Sequence, residues 1–417
     1  MPFHHTTLPN GLTIIGETAP SARSVAVGFF VRTGARDETP AESGVSHFLE
    51  HMMFKGTARR TAEQVNLDFD RIGSSPNAWT SEENTVYYGA VLPEYLPKLI
   101  DVLADIMRPS LRDDDFDTEK KVILEEIKKY QDQPGSVAWE NARHLYYREH
   151  PLGNSVLGTS ESVSALTRDQ MRAYFTRRYA ANNIILSVAG NFDWKQLVGL
   201  AADACSGWNT AEVGRTHRTE WAGQGGLHVL TREGIQQEYV LCLGGGPPSE
   251  SRLRYAADTL ALAVGDDTGS RLYWALLDKG LADSADCGYY ENDGSGITCT
   301  SFTCEPERTE GNLGVVRKIL GDVQRDGITA EELHLAKTKM ASRWVRKSER
   351  PTGRMPAIAS AWAYTGEYRD VDTEVANYEA VTLADVREYL DRYPIDRSTV
   401  VAFGPTAKLE GVDGKPT

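Results

Sequence analysis

Cysteine is scarce in this chain. Five occur in 417 residues, at 205, 242, 287, 299 and 304. The number is odd and no two stand as C-x-x-C, which argues against a disulfide framework and against a cysteine-based metal site. A reducing compartment is the simplest fit. Apolar runs are short, and none reaches the roughly 18 residues that would cross a bilayer, so no membrane association is expected. Basic residues are outnumbered, 45 Lys and Arg against 59 Asp and Glu, for a net charge of −14. Nucleic acid is therefore not an expected partner, because phosphate binding needs clustered cations. The first residues, MPFHHTTLPNGLTII, lack a basic segment followed by an apolar stretch and a small-residue cleavage site. The expectation is a cytoplasmic protein.

What the sequence does contain is a faint duplication. The stretch at 166–190, LTRDQMRAYFTRRYAANNIILSVAG, is echoed at 381–405 by VTLADVREYLDRYPIDRSTVVAFGP. Each reads as a helix opened by Thr, followed by an apolar strand ending in Gly. Thr167 matches Thr382, Arg172 matches Arg387, Tyr174 matches Tyr389 and, after a one-residue slip, Tyr179 matches Tyr393 and Gly190 matches Gly404. Upstream, 24–36 and 238–248 each read as a strand leading through a loop into a helix. At 417 residues the chain exceeds one ordinary core. These patterns predict an α+β fold of two similar halves, 1–205 and 227–417, joined by a polar linker at 206–226. Strands are expected near 11–16, 24–32, 84–92, 183–190, 227–231, 237–244, 296–304 and 398–403.

The chemistry concentrates at GVSHFLEHMMF, 44–54. On a helix His47 and His51 are four apart and share a face, so both imidazoles can reach one ion at roughly 2 Å. Val45, Phe48, Leu49, Met52 and Met53 gather on the opposite side. Glu50 stands beside the pair, displaced to a flank where it can reach an activated water. H-x-x-E-H is the inverted zinc-protease signature. A catalytic zinc site usually has three protein ligands and an open position, and FDTEKKVILEEIKKYQDQP at 116–134 is the best source of the third. Its phase places Glu126 in a stripe with Val122, Ile123 and Tyr130, and Glu119 two turns earlier. A carboxylate on an apolar face is costly unless paired or metal-bound. Glu126 is therefore assigned as ligand and Glu119 as a neighbouring acid, the alternative for Glu119 being an ordinary salt bridge. Glu125 falls among lysines on a solvated face.

These residues carry a resemblance. GVSHFLEHMMFKGT, NAWTSEENTVYYGAVLPE, EKKVILEEI and HPLGNSVLGT resemble the M16 (pitrilysin/insulinase) family of zinc metallopeptidases, and most of all its short processing-peptidase branch. The resemblance spans the chain, dense in the first half and weaker in the second. It implies two mostly antiparallel sheets packed with helices and enclosing a chamber. It further implies a Zn2+ ion, Glu50 as catalytic base, a glutamate ligand matching Glu126, an assisting acid matching Glu119, and a peptide-lining edge at Asn77 and Ala78. One departure stands out. The family's second half carries an Arg and a Tyr that bind substrate. Aligned through Gly280 and Leu281, those positions fall at Leu276 and Asp283, and Arg271, Tyr273, Tyr289 and Tyr290 lie nearby without the right spacing. The resemblance thus implies an endopeptidase acting on peptides, as a homodimer or as the zinc subunit of a heterodimer whose related partner supplies the pair. The alternative is a non-catalytic subunit of a larger assembly.

Overall fold

The strand Val25–Val31 is buried at all seven positions, which requires a sheet covered on both faces. A computed structural model, describing residues 1–215 and 220–409, shows two such sheets. The first holds β1 (Phe3–Thr7), β2 (Thr13–Thr18), β3 (Val25–Val31), β4 (Asn77–Thr80), β5 (Thr85–Val91) and β6 (Ile184–Gly190), in the order β1-β2-β6-β3-β5-β4. The second holds β7 (Gly226–Thr231), β8 (Glu238–Gly246), β9 (Ser284–Asn292), β10 (Ser295–Cys304) and β11 (Thr399–Gly404), in the order β7-β11-β8-β10-β9. Leaving out β1, the orders superpose strand for strand. One pair in each is parallel, β2 with β6 and β7 with β11, and the others are antiparallel. The fold is α+β in two similar halves.

All eight expected strands are present. The three that were not expected, β1, β4 and β9, each lie at a sheet edge.

Contacts divide the chain into two compact units, and neither is contiguous. One comprises Met1–Lys128, Asn154–Thr216 and Val345–Val371; the other comprises Lys129–Gly153, His217–Trp344 and Asp372–Thr417. The expected linker, 206–226, includes residues 216–219, which lie outside the described residues. In the first unit Val25, Val27, Phe29 and Val31 face a core shared with Phe48 and Leu49. Ala26 and Phe30 face Met355, Ile358 and Ala359 on the helix Pro351–Thr365. In the second, Val240 and Cys242 face Leu260 and Val264. Leu241 and Leu243 face Ala138, Ala142 and Tyr146 on the helix Pro134–Tyr147. Each sheet is thus covered on one face by a helix drawn from the other half of the sequence.

The repeated residues are structural. Thr167 and Thr382 both close capping boxes, each satisfying orphan N–H groups of a helix start. Gly190 and Gly404 end β6 and β11 where a Cβ would stand 2.4 Å from Ser24 O and 2.4 Å from Glu238 Oε2 respectively. Among the described residues no helix is long and apolar enough to cross a membrane, and all five cysteines are free.

Candidate metal and catalytic site

The helix Val45–Met52 begins at Gly44, whose φ of +89° favours glycine. A Cβ there would also meet Leu157 O at 2.6 Å. The helix has no local side-chain cap. Instead the buried Glu38 accepts hydrogen bonds from Gly44 N and Ser46 N, both at 2.8 Å, where a helix start favours negative charge. Burial pushes the Glu38 carboxyl up to about 8, against the lowering effect of those same bonds. Tyr174 Oη lies 2.7 Å from both Thr33 Oγ1 and Ser46 Oγ. Val45, Phe48, Leu49, Met52 and Met53 are buried in the core, and this turns His47 and His51 to the other side, ring centroids 4.8 Å apart.

A second helix, Asp113–Gln131, brings the acids. Its buried face is Phe116, Glu119, Ile123 and Ile127. The stripe expected from the sequence is therefore displaced: Val122 is 47% exposed and Tyr130 40%. Glu126, half-buried, lies on the rim of the packed face and not within an apolar stripe. Glu125 is solvated and paired with Lys128.

The structure brings His47, His51 and Glu126 together, one donor atom from each lying within 4.8 Å of the others. Glu126 Oε2 is 3.5 Å from His51 Nε2 and 3.9 Å from His47 Nε2. His51 Nδ1 is 2.8 Å from Glu119 Oε1, and Glu119 Oε2 is 2.6 Å from Lys55 Nζ. His47 Nδ1 is buried without a hydrogen bond among the described residues. Burial, reinforced by the neighbouring His51, lowers the His47 pKa to about 3, leaving a neutral imidazole. For His51 burial opposes protonation, but the hydrogen bond to Glu119 and the charges of Glu126, Glu119 and Glu50 outweigh it, and the pKa is raised. Burial pulls Glu119 upward, but His51 and Lys55 hold it below the usual carboxylate range.

Glu50 is half-buried, and desolvation raises its pKa despite a 2.6 Å hydrogen bond from Thr80 Oγ1 to Oε2. Thr80 ends β4, the sheet-edge strand that begins with Asn77 and Ala78. Asn77 is exposed, its Oδ1 accepting from Ala78 N at 2.8 Å. Ala78 packs against the core. Sequence reasoning passed over Thr80, Lys55 and Glu38. Thr80 had a signal: strand side chains alternate, so it shares a face with Ala78. Lys55 and Glu38 gave none, because their partners lie on other elements or on backbone N–H groups.

In the second unit, Leu276 is fully buried and Asp283 Oδ2 accepts from Gln237 Nε2 at 2.9 Å. Arg271 is engaged twice by Glu332, at 2.6 and 2.9 Å. Tyr289 Oη donates to Pro247 O at 2.6 Å, Tyr290 packs on Trp139 and Tyr273 on Trp274.

Residues 13–160 match the family described as Insulinase (Peptidase family M16), and residues 165–340 match Peptidase M16 inactive domain. An uncharacterized zinc protease of Streptomyces coelicolor is 34% identical over 96% of this chain and 89% of its own length. A solved protease from Helicobacter pylori superposes with a TM-score of 0.90 at 20% identity, covering 96% of this chain and 99% of that one. A structure described as the peptidase M16 inactive domain from Pseudomonas fluorescens does so at 0.91 and 16% identity, covering 98% and 99%.

Proposed function

The chain belongs to peptidase family M16, and from that premise we propose that it is a zinc-dependent endopeptidase acting on peptides or small unfolded polypeptides. The observation that carries this reading is the convergence of His47 Nε2 and His51 Nε2 on Glu126 Oε2, at 3.9 and 3.5 Å. Ligand atoms held tetrahedrally about 2.1 Å from a zinc ion lie roughly 3.4 Å apart, so the gap fits such an ion. The donor set, two imidazoles and a carboxylate, is one that catalytic zinc takes.

Zinc bound there supplies Lewis acidity toward water and a peptide carbonyl. His47, already neutral, offers its Nε2 lone pair directly. His51 would ligate as the neutral ring through Nε2, with Glu119 orienting it through the 2.8 Å contact at Nδ1. Glu50, with Oε2 engaged by Thr80, accepts the proton of the attacking water at its other oxygen and returns it to the leaving amine. The raised pKa of Glu50 suits that two-way traffic. A peptide can add as a further strand beside Asn77 and Ala78 at the open side of β4, its main chain recognised more than its sequence.

The second unit offers neither an Arg at 276 nor a Tyr at 283, and Arg271 is bound to Glu332. This favours a heterodimer in which a related partner chain supplies the pair and completes substrate binding; a homodimer would have to bind substrate without it. The free cysteines fit a reducing, cytoplasmic setting. The test is Glu50→Gln, assayed on a peptide mixture alone and with any co-purifying related chain. Zinc content should stay at wild-type level while turnover falls about 100- to 10,000-fold. Wild-type turnover in that variant would remove Glu50 as base; a wild-type chain that holds no zinc and cleaves no peptide, alone or with the partner, would remove the endopeptidase reading.

A further inference from the structure

A general base must be held as well as present, and Glu50 is held from a strand that the zinc motif does not include. In β4, Ala78 and Thr80 share the face toward the His47 helix, and Thr80 Oγ1 donates to Glu50 Oε2 at 2.6 Å. The partner of Thr80 in the strand register is Thr85, whose hydroxyl is committed elsewhere, to Thr33 O at 2.9 Å. Glu50 Oε1 makes no hydrogen bond among the described residues.

The hairpin carrying Thr80 is fixed on several sides. Ser81 N donates to Asn84 O at 2.8 Å, and Ser81 Oγ accepts from Asn84 N at 3.1 Å. Ala35 N donates to Ser81 O at 3.2 Å and Arg36 N to Glu82 O at 2.8 Å. Glu83, buried beneath the turn, pairs with Arg36 and accepts from Tyr364 Oη at 2.9 Å. A hydroxyl on so constrained a hairpin sets the orientation of the flexible side chain that it touches.

We propose that Thr80 is the positioning residue of Glu50: its hydroxyl immobilises one carboxylate oxygen so that the other is presented to the reacting water. This rests on the peptidase reading above. It also predicts a division of labour on β4. Exposed Asn77 and the free strand edge meet the substrate, while the same strand fixes the base, so one element registers both.

Positioning errors of about 1 Å can cost a factor of about 100 in rate. Thr80→Val keeps the shape and removes the hydroxyl; Thr80→Ser keeps the hydroxyl. In the full chain, assayed with its partner where one co-purifies, T80V should lower kcat about 10- to 100-fold on a fluorogenic peptide. KM should stay within about twofold and zinc stoichiometry should not change. T80S should recover most of the kcat. With Glu50→Gln already present, T80V should cost little more, because the group it positions no longer acts. The readout independent of turnover is a crystal structure of each variant. The Glu50 carboxylate should leave its wild-type orientation or split between two in T80V, and hold it in T80S. An unmoved carboxylate in T80V overturns the proposal, as does a T80S enzyme as slow as T80V. The two readings fail separately: full turnover in E50Q sinks the peptidase mechanism, whereas an inactive E50Q beside a fully active T80V sinks only the role of Thr80.

Discussion

The two units carry the same strand order and opposite chemistry. In the first, β3 leads to the helix Val45–Met52, with His47, Glu50 and His51 on the side turned away from Phe48 and Leu49. In the second, β8 leads to the helix Arg254–Val264, where Tyr255, Ala256, Ala257 and every residue from Thr259 to Val264 are buried and no histidine occurs. The repetition sorts the residues. Those found in both halves do structural work. The capping Thr167 and Thr382 recur, as do the strand-ending Gly190 and Gly404. So do the buried hydroxyls of Tyr174, on Thr33 and Ser46, and of Tyr389, on Thr298. Among the residues found in one half only are His47 and His51, which converge on Glu126. One scaffold, used twice, repeats its packing rules in both places and carries the proposed ligands in one.

The sharpest way to break this contrast is to remove a proposed ligand. His51→Ala deletes a donor and frees Glu119 and Glu126 from their shared partner. Zinc affinity should fall more than about 100-fold, beyond the loss typical of an outer hydrogen-bond partner, and turnover should go with it. A cut in the buried helix of the second unit, Leu262→Ala, should leave zinc stoichiometry at wild type. Full zinc content in H51A, measured after dialysis, would show that the ion sits elsewhere.

Much of this was legible in the sequence, for reasons that also mark the limits. The central strands were visible because sheets covered on both faces demand continuous apolar runs such as Val25–Val31 and Ile184–Gly190. The strands β1, β4 and β9 were not, because an edge strand such as FHHTT or SADCGYYEN tolerates polar residues on its outer face. The H-x-x-E-H pair was legible because its spacing is local. Glu126 is legible from its helix, but the apolar stripe that points to it is not the face the fold buries. Two overlapping arcs of its helix, Phe116/Ile123/Ile127 and Val122/Ile123/Tyr130, hold similar apolar content, and periodicity alone could not say which one faces the core. The exchange of helices Pro134–Tyr147 and Pro351–Thr365 between the two sheets left no sequence trace, because an apolar helix face does not encode which sheet it will cover.

A second test concerns acid in the unit without the metal motif. Asp258 lies on the helix Arg254–Val264 and accepts from Tyr378 Oη at 2.7 Å. Desolvation pushes its pKa up to about 7, with Glu291 and Glu374 raising it and Arg254 and the Tyr378 bond opposing. The native state therefore keeps a proton that the unfolded chain gives up near pH 4. That contribution to stability is fully present below about pH 4 and is lost as pH rises toward 7. Asp258→Asn removes the titration. Between pH 5 and 8 the wild-type melting temperature should fall by a few degrees more than that of D258N, with zinc content equal in both. Parallel curves would mean that Asp258 is ionised throughout.

The smallest expected effect decides the most delicate point, whether the second unit has moved its substrate arginine to Arg271. The guanidinium is held by both oxygens of Glu332 and by Gly327 O at 3.2 Å. A pair of this kind, with side chains 24% and 26% exposed, contributes about 1 kcal/mol, and its donors are largely spent. Arg271→Gln should therefore lower the melting temperature by about 2–4 °C and leave kcat/KM within about twofold. A tenfold loss of kcat/KM, with zinc retained and the fold intact, would mean that the guanidinium leaves Glu332 for substrate. The second unit would then be a participant in catalysis, and the case for a partner chain that supplies the missing arginine would lose its ground.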